Sequence, residues 1–195
     1  VFGSNAQHGI INVLSRSVSN TQNQIKAEAG SRDYYRLSGS AAFDSVALSV
    51  QATHYGGYQD ASGYYQQKAT LRLDHDWQNW RVQGLLEGSN LNQETAGYIR
   101  GFEAYEDDDA REENPNPEAH RDAWAARGYL GFTRDWGANA EVTFRPYWRS
   151  NSMTFLQHYL PWQATESNRH RSLGLQAIAR GQRDRLTWLA GVDID

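Results

Sequence analysis

The sequence contains no cysteine, and no apolar run in its 195 residues is long enough to form a membrane-spanning helix. The first absence excludes a disulfide framework and a thiolate metal site. The second excludes a transmembrane helix, which needs about 20 consecutive apolar residues. Lysine is scarce as well, since it occurs only at Lys26 and Lys68 and the other basic residues are arginine, and the formal net charge is -4. We therefore expect no nucleic-acid partner.

Signatures of catalysis and metal binding are also lacking. The sequence has no Gly-x-Ser-x-Gly nucleophile elbow and no glycine-rich phosphate loop. No pair among the 6 histidines has the spacing of a zinc site. Asp74 and Glu87 could act as paired carboxylates, but charges balanced by arginine in a hydrated interior explain them better. We predict that the protein is not an enzyme and that it holds no metal ion and no cofactor.

The sequence is dominated by a period of two. In VALSVQATHY, Val46, Leu48 and Val50 alternate with more polar positions, and such alternation predicts strands with two different faces. The mean hydropathy is only -0.78, but a barrel needs apolar residues at every second position alone. Several predicted strands reach the length of about nine to eleven residues with which a strand crosses a membrane. The predicted strands lie near 22–30, 34–43, 46–55, 64–76, 80–91, 124–135, 138–152, 170–181 and 185–195.

The predicted connections alternate between short and long. Tight turns are predicted at 44–45, 78–79, 136–137 and 182–184, and longer segments at 56–63, 92–123 and 153–169. Only the first connection, 31–33, is short where a long one is expected. Outer-membrane barrels have this asymmetry, with tight turns at one rim and long external loops at the other.

The two predicted strand faces differ in chemistry. One face is apolar and carries tryptophan near strand ends, where membrane-interface girdles are expected: Trp80, Trp124, Trp148 and Trp188. The other face carries charges that would be costly in a packed core: Arg72, Arg81, Glu87, Arg127, Glu141, Arg145, Arg149 and Arg180. The charged face suits a hydrated interior or one that is filled by a polar plug. The alternative is an ordinary antiparallel sheet with one wet face, which would need a cover for its apolar surface.

The opening stretch, VFGSNAQHGIINVLSRS, has no initiator methionine, and the final stretch, LTWLAGVDID, is a strand without a following turn, so we expect a fragment of a longer protein. The opening stretch resembles the end of the plug domain in TonB-dependent outer-membrane receptors. In that family a Gly-Ser-x-Ala turn, a second glycine and an Ile-Asn-Val strand precede the first barrel strand. Ser15-Arg16 stands where the family commonly has Thr-Lys. The matching residues, which follow the aromatic Phe2, are Gly3, Ser4, Asn5, Ala6, Gly9, Ile10, Ile11, Asn12 and Val13.

A second resemblance lies in residues 112–137, EENPNPEAHRDAWAARGYLGFTRDWG. This segment is similar to the long third loop and the following strand of siderophore receptors in the same family. Pro115 and Pro117 impose extended or turn geometry, after which residues 121–124 would re-enter the membrane as a strand.

These resemblances imply an all-β fold that is part of a transmembrane antiparallel β-barrel. Residues 1–17 would be the end of the plug domain, and residues 18–195 the N-terminal part of the barrel, about nine of about twenty-two strands. The protein would import a ferric siderophore across the bacterial outer membrane, in contact with its lipid. The inner-membrane protein TonB, whose binding box is not in this sequence, would supply the energy. The plug-to-barrel junction motif would comprise Gly3, Ser4, Ala6, Gly9, Ile11 and Asn12.

Aromatic side chains cluster in the predicted external segments, and aromatic walls with arginine donors suit ferric siderophores. The first candidates for ligand contact are Tyr98, Arg100 and Phe102. The further candidates face the interior near the outer rim by parity: Tyr55, Tyr64, Tyr147 and Arg149. For each residue, packing in an interfacial girdle or a loop is the alternative. The acidic run 103–113 is either a cation-attracting loop or a solvated one, and its spacing does not match an EF-hand.

Other functions stay open on the sequence alone. A passive porin or a structural outer-membrane barrel would share the strands, although the motif at residues 3–13 speaks against it. A secreted β-protein that binds glycan through exposed tryptophan is a second alternative. Among receptors, the cargo could be haem, with His120 and His158 as candidate contacts, or cobalamin or a sugar.

Overall fold

The computed structural model describes residues 16–195, and these residues form one antiparallel sheet of nine strands with almost no helix. Spatial order follows sequence order from β1 to β9, so each strand pairs only with its neighbours in the chain. The all-β prediction and the predicted number of strands are confirmed for this part of the chain. The strands are β1 (Gln24–Gly30), β2 (Tyr34–Phe43), β3 (Val46–Tyr55), β4 (Tyr64–Trp77), β5 (Trp80–Glu94), β6 (His120–Asp135), β7 (Ala140–Leu156), β8 (Thr165–Arg183) and β9 (Leu186–Ile194).

The connections alternate in length as predicted, with the predicted exception of the short connection 31–33. The short connections 44–45, 78–79, 136–139 and 184–185 lie at one end of the sheet, the short-turn end. The connections 31–33, 56–63, 95–119 and 157–164 lie at the other end, the long-loop end. Asp44, Gln78 and Asp184 turn the chain in the left-handed region, with φ of 48°, 54° and 54°.

Four strands extend further toward the long-loop end than the alternation of apolar residues predicts. β5 continues to Glu94, β6 begins at His120, β7 continues to Leu156 and β8 begins at Thr165. Their extra residues still pair in register, for example Thr154 with Ser167. The hydrogen bonds between strand backbones need no apolar side chain, so the strands continue beyond the end of the apolar alternation. The long connections between these strands are therefore shorter than predicted.

Two short 3-10 helices complete the described elements, Val18–Asn20 before β1 and Ala104–Glu106 within the 95–119 connection. No helix in residues 16–195 is long and apolar enough to cross a membrane.

The register separates the side chains onto two faces. On the apolar face, Leu71 lies between Leu48 and Leu86, and Leu173 lies beside Trp148. Large apolar side chains on this face are open to solvent, up to 78% for Leu173 and 85% for Ile25. Among the described residues no large side chain is fully buried, so this sheet has no hydrophobic core of its own. The apolar face is therefore a large uncovered surface.

Aromatic rings lie over glycines on neighbouring strands. Tyr147 is the register partner of Gly174, and an added Cβ at Gly174 would overlap the tyrosine ring. Trp188 is the register partner of Gly181, where an added Cβ would come within 2.6 Å of the indole. Cross-strand aromatic residues cover the gap that glycine leaves in a strand, so these pairs stabilise the β7–β8–β9 part of the sheet.

Candidate functional site

The polar face, opposite the apolar face, carries a series of ion pairs. The register places on it all the charged residues that the sequence analysis assigned there, including Arg81 and Arg145. Such partly exposed pairs add little stability but keep the face charged and hydrated. Three of these pairs are Glu87–Arg127 (2.7 Å), Lys26–Glu28 (2.9 Å) and Glu141–Arg180 (2.9 Å).

A polar network joins β7, β8 and β9 on this face. The Tyr147 hydroxyl donates to Asp193 at 3.1 Å, and the Gln176 amide donates to the other oxygen of Asp193 at 3.0 Å. Arg149 pairs with Asp195 and donates to Ser172. Tyr147 and Arg149 lie on the polar face, and both stand near the middle of β7 rather than at its long-loop end. The alternation of side chains along a strand fixes the face on which a residue lies. Its distance from the long-loop end depends on where the strand ends.

The segment before β1 is fixed to the polar face at the short-turn end. Arg72 donates to the carbonyl of Arg16 at 2.6 Å and to the hydroxyl of Thr21 at 3.1 Å. Asp74 accepts the backbone N–H of Val18 at 2.9 Å, and the Val18 side chain is only 2% exposed. We call residues 16–21, with Arg72 and Asp74, the junction clamp. The sequence placed Arg72 on the correct face but gave no signal for this contact.

The long connections contact one another and form a continuous rim at the long-loop end. The N–H of Gly56 donates to the carbonyl of Arg32 at 2.8 Å, and the N–H of Asp60 donates to the carbonyl of Glu112 at 2.8 Å. Gln163 donates to Glu118 at 2.5 Å, which links the last long connection to the 95–119 connection.

Asn114 organises the centre of this rim and is 8% exposed. Its amide donates to the carbonyl of Ala61 at 3.0 Å, and its side-chain oxygen accepts the N–H of Asn116 at 2.9 Å. Asparagine side chains bond to backbone in this way in turns, but the partner in another loop is not visible in sequence. Asn114 is thus a structural residue that the sequence analysis did not identify.

The candidate ligand residues fall into two local groups at the long-loop end. Tyr55 and Tyr64 are register partners at the loop ends of β3 and β4, with ring centroids 5.8 Å apart. Arg100 lies 5.2 Å from the centre of the Tyr98 ring, and Phe102 is 93% exposed. Tyr55 and Tyr64 therefore lie at the long-loop end of the polar face, and the Tyr98–Arg100–Phe102 stretch presents aromatic and guanidinium groups to solvent.

The acidic run and the loop histidines show no metal-ligand geometry. In residues 16–195 no group of three histidine or acidic side chains is placed to hold a metal ion. Asp107 instead accepts the N–H groups of Asp109 and Ala110, both at 3.0 Å. His158 lies edge-on to Tyr159 with centroids 5.9 Å apart. The acidic run 103–113 is thus held by hydrogen bonds between its own side chains and backbone.

The apolar face ends in aromatic and polar residues toward the long-loop end. The rings of Tyr35 and His54 lie 6.3 Å apart, and those of His54 and Tyr65 lie 4.3 Å apart, so the three form a stack across β2, β3 and β4. At the short-turn end, Trp77 and Trp80 are register partners, and Trp188 lies near the start of β9. The apolar surface is therefore bounded at both ends by aromatic rings.

The predicted junction motif, Gly3 to Asn12, lies outside the described residues. No protein-family model matches the chain, and the curated proteins contain no match to it.

Proposed function

We propose that this chain is part of the wall of a TonB-dependent outer-membrane receptor that imports a ferric siderophore. The observation that carries the proposal is the contrast between the two faces of one up-and-down sheet. An uncovered apolar face lies opposite a face of charged pairs, and long connections gather at one end only. Lipid outside and a hydrated interior inside are the solvents that these two faces suit.

The dimensions of the apolar face support a bilayer setting. From Tyr65 to Trp77, which stand near its two aromatic borders, β4 covers roughly 40 Å at about 3.3 Å per residue. A strand tilt of about 40° reduces this to roughly 30 Å of membrane thickness, enough for an apolar band of about 25 Å and its girdles. In such a bilayer the free edges of β1 and β9 would need further strands to pair their backbone groups.

The receptor assignment, rather than a simple pore, rests on the resemblance at residues 3–13 and is supported by the junction clamp. The chain before β1 runs across the polar face at the short-turn end, where Arg72 and Asp74 bind it. This is the route that a segment leading from the interior of a barrel into its first strand would take. The exposed Tyr98, Arg100 and Phe102 at the long-loop end supply chemistry that suits a ferric siderophore.

Uptake of radioactive iron tests the proposal in the full-length protein. The full-length protein is expressed in an iron-starved Gram-negative host that lacks its own siderophore receptors, once with TonB and once without it. We expect saturable uptake of one class of ferric siderophore that is lost without TonB. Uptake that persists without TonB, or ion conductance in planar bilayers without ligand specificity, would identify a porin instead. Saturable, TonB-dependent uptake of haem or cobalamin would keep the receptor and change its cargo.

A further inference from the structure

We propose that Asn114 is a positioning residue for ligand contact, because it joins the connection between β3 and β4 to the connection between β5 and β6. The first connection is flanked by the Tyr55–Tyr64 pair, and the second carries the Tyr98–Arg100–Phe102 stretch. Through Asn114 these two groups form one binding surface of fixed geometry. The inference rests on the proposed function, since it names the residue that determines how tightly that site holds its ferric siderophore.

The two connections are bonded to each other through consecutive residues. The N–H of Asp60 donates to the carbonyl of Glu112 at 2.8 Å, and the Gln59 side chain donates to the carbonyl of Glu113 at 2.9 Å. Beside these bonds, the Asn114 amide donates to the carbonyl of Ala61 at 3.0 Å. Residues 112–114 of one connection thus hold residues 59–61 of the other.

Asn114 differs from the other members of this contact because its side chain is buried and bonds on both sides. It is 8% exposed, whereas Asp60, Glu112 and Glu113 are exposed residues. Its side-chain oxygen accepts the N–H of Asn116 at 2.9 Å, so the same side chain also fixes the turn of its own connection. Because water competes little for a buried amide, this bond holds the two connections more firmly than the exposed bonds do.

The turn that Asn114 fixes is also the support of the Tyr98–Arg100–Phe102 stretch. Gly97, the residue before this stretch, packs directly against the turn. An added Cβ at Gly97 would lie 2.6 Å from the side-chain oxygen of Asn116 and 3.1 Å from the Pro115 ring. A shift of residues 114–116 therefore moves the beginning of the stretch relative to the Tyr55–Tyr64 pair.

A fixed arrangement of the two groups favours ligand affinity. A preorganised surface binds more tightly than a mobile one, because less conformational freedom is lost when the ligand binds. If the two connections moved independently, the ligand would have to order them, and its affinity would fall. The steps that follow binding would not change. We therefore expect loss of the Asn114 link to raise the KM of uptake and to leave the maximal rate unchanged.

The variant Asn114→Asp in the full-length protein tests the inference. It keeps an oxygen for the N–H of Asn116 but replaces the donor that faces the Ala61 carbonyl with a second acceptor. Hydrogen exchange of the Asp60 amide should accelerate about tenfold or more, because the two connections separate locally.

The same variant is compared with the wild type in uptake. The KM of TonB-dependent uptake should rise about tenfold, since a buried hydrogen bond is lost and its acceptor is left unpaired. The maximal rate per receptor in the outer membrane should stay the same. Radioactive iron is supplied as the complex of a tris-catecholate or of a tris-hydroxamate siderophore, whichever the wild type transports.

The matched control is Asn116→Asp, which adds the same charge two residues away at a side chain that forms no hydrogen bond within residues 16–195. It should leave both the exchange of the Asp60 amide and the KM unchanged. A second variant, Gly97→Ala, pushes the Tyr98–Arg100–Phe102 stretch away from the turn and leaves the bond between Asn114 and Ala61 in place. It should raise the KM and leave the exchange of the Asp60 amide unchanged.

Unchanged exchange of the Asp60 amide in Asn114→Asp would overturn the link between the connections. Faster exchange with an unchanged KM would overturn the role of Asn114 in ligand contact, and so would a lower maximal rate per receptor as the sole effect. If Asn114→Asp does not reach the outer membrane, an unchanged KM of Gly97→Ala overturns that role. Absence of saturable uptake by the wild type would overturn the proposed function and the ligand role with it, whereas the exchange measurement would still decide whether Asn114 joins the two connections.

Discussion

Single residues on adjacent positions of one strand face different surroundings if the apolar face meets lipid. Leu71 is 42% exposed on the apolar face between Leu48 and Leu86, whereas Thr70 lies on the polar face beside Glu87. We expect Leu71→Arg to destabilise the full-length protein in lipid by about 2–4 kcal/mol, the cost of arginine near the bilayer midplane. The matched variant Thr70→Arg should change stability by less than about 1 kcal/mol.

Urea unfolding in phospholipid vesicles measures both changes. If the apolar face were an exposed surface in water, the two variants would be equally mild, because surface substitutions usually stay within about 0.5 kcal/mol.

Gly174 makes room for the Tyr147 ring, which lets the hydroxyl reach Asp193. We expect Gly174→Ala to displace the ring and to lower the free energy of unfolding by about 1–3 kcal/mol, as overpacking does. Tyr147→Phe, which removes the hydrogen bond alone, should cost about 1 kcal/mol. Gly88→Ala is the control, since an added Cβ there meets only the Ala125 carbonyl at 4.0 Å. Equal unfolding midpoints for Gly174→Ala and Gly88→Ala would contradict this role of the glycine.

At the residue scale, the sequence predicted orientation well and contacts poorly. Period-two alternation placed Arg72 and Arg149 on the polar face, because the pleat fixes the side of every second residue. It could not predict that Arg72 binds the carbonyl of Arg16, since that bond depends on how a distant segment crosses the sheet. The partner of Asn114 was hidden for the same reason, as it lies in another connection.

Among the elements, the junction clamp can be tested through the backbone N–H of Val18, which donates to Asp74. We expect Asp74→Ala to accelerate hydrogen exchange of this amide about tenfold or more, because a charged acceptor is lost and the segment opens locally. Asp76→Ala removes the same charge from the same face of β4 and should leave the amide unchanged. Exchange followed by mass spectrometry or NMR reads the effect. Identical protection in the two variants would mean that the segment is held by other contacts.

The strand boundaries show which strand ends the alternation of apolar residues predicts and which it does not. Alternation located the short-turn ends of β4 and β5 to within a residue, because turn residues and apolar positions adjoin there. At the long-loop end it stopped early on β5, β6, β7 and β8, where the alternation of apolar residues ends but the backbone ladder continues. The apolar pattern therefore predicts the extent of the apolar face, and the full strand length requires the structure.

For the molecule as a whole, an uncovered apolar face and two free strand edges predict that the isolated 195-residue chain is not stable in water. We expect it to aggregate without detergent and to remain in solution when a detergent covers the apolar face. Analytical ultracentrifugation in both conditions measures the difference. A folded monomer in buffer without detergent would contradict the prediction. It would also contradict the interpretation of the apolar face as a lipid-contacting surface.

Strictly sequential pairing has a consequence for how this sheet forms. Every hairpin is made from neighbouring stretches of chain, and the longest excursion between paired strands is the 95–119 connection. The entropic penalty of loop closure grows only slowly with the length of a connection. Each strand can therefore pair with the preceding strand without a contact to a strand that is distant in sequence. The sheet can thus grow by successive hairpins from β1 or from β9. Cleavage of the backbone within 95–119 would leave β1–β5 and β6–β9 as two sets of strands that can pair with each other again.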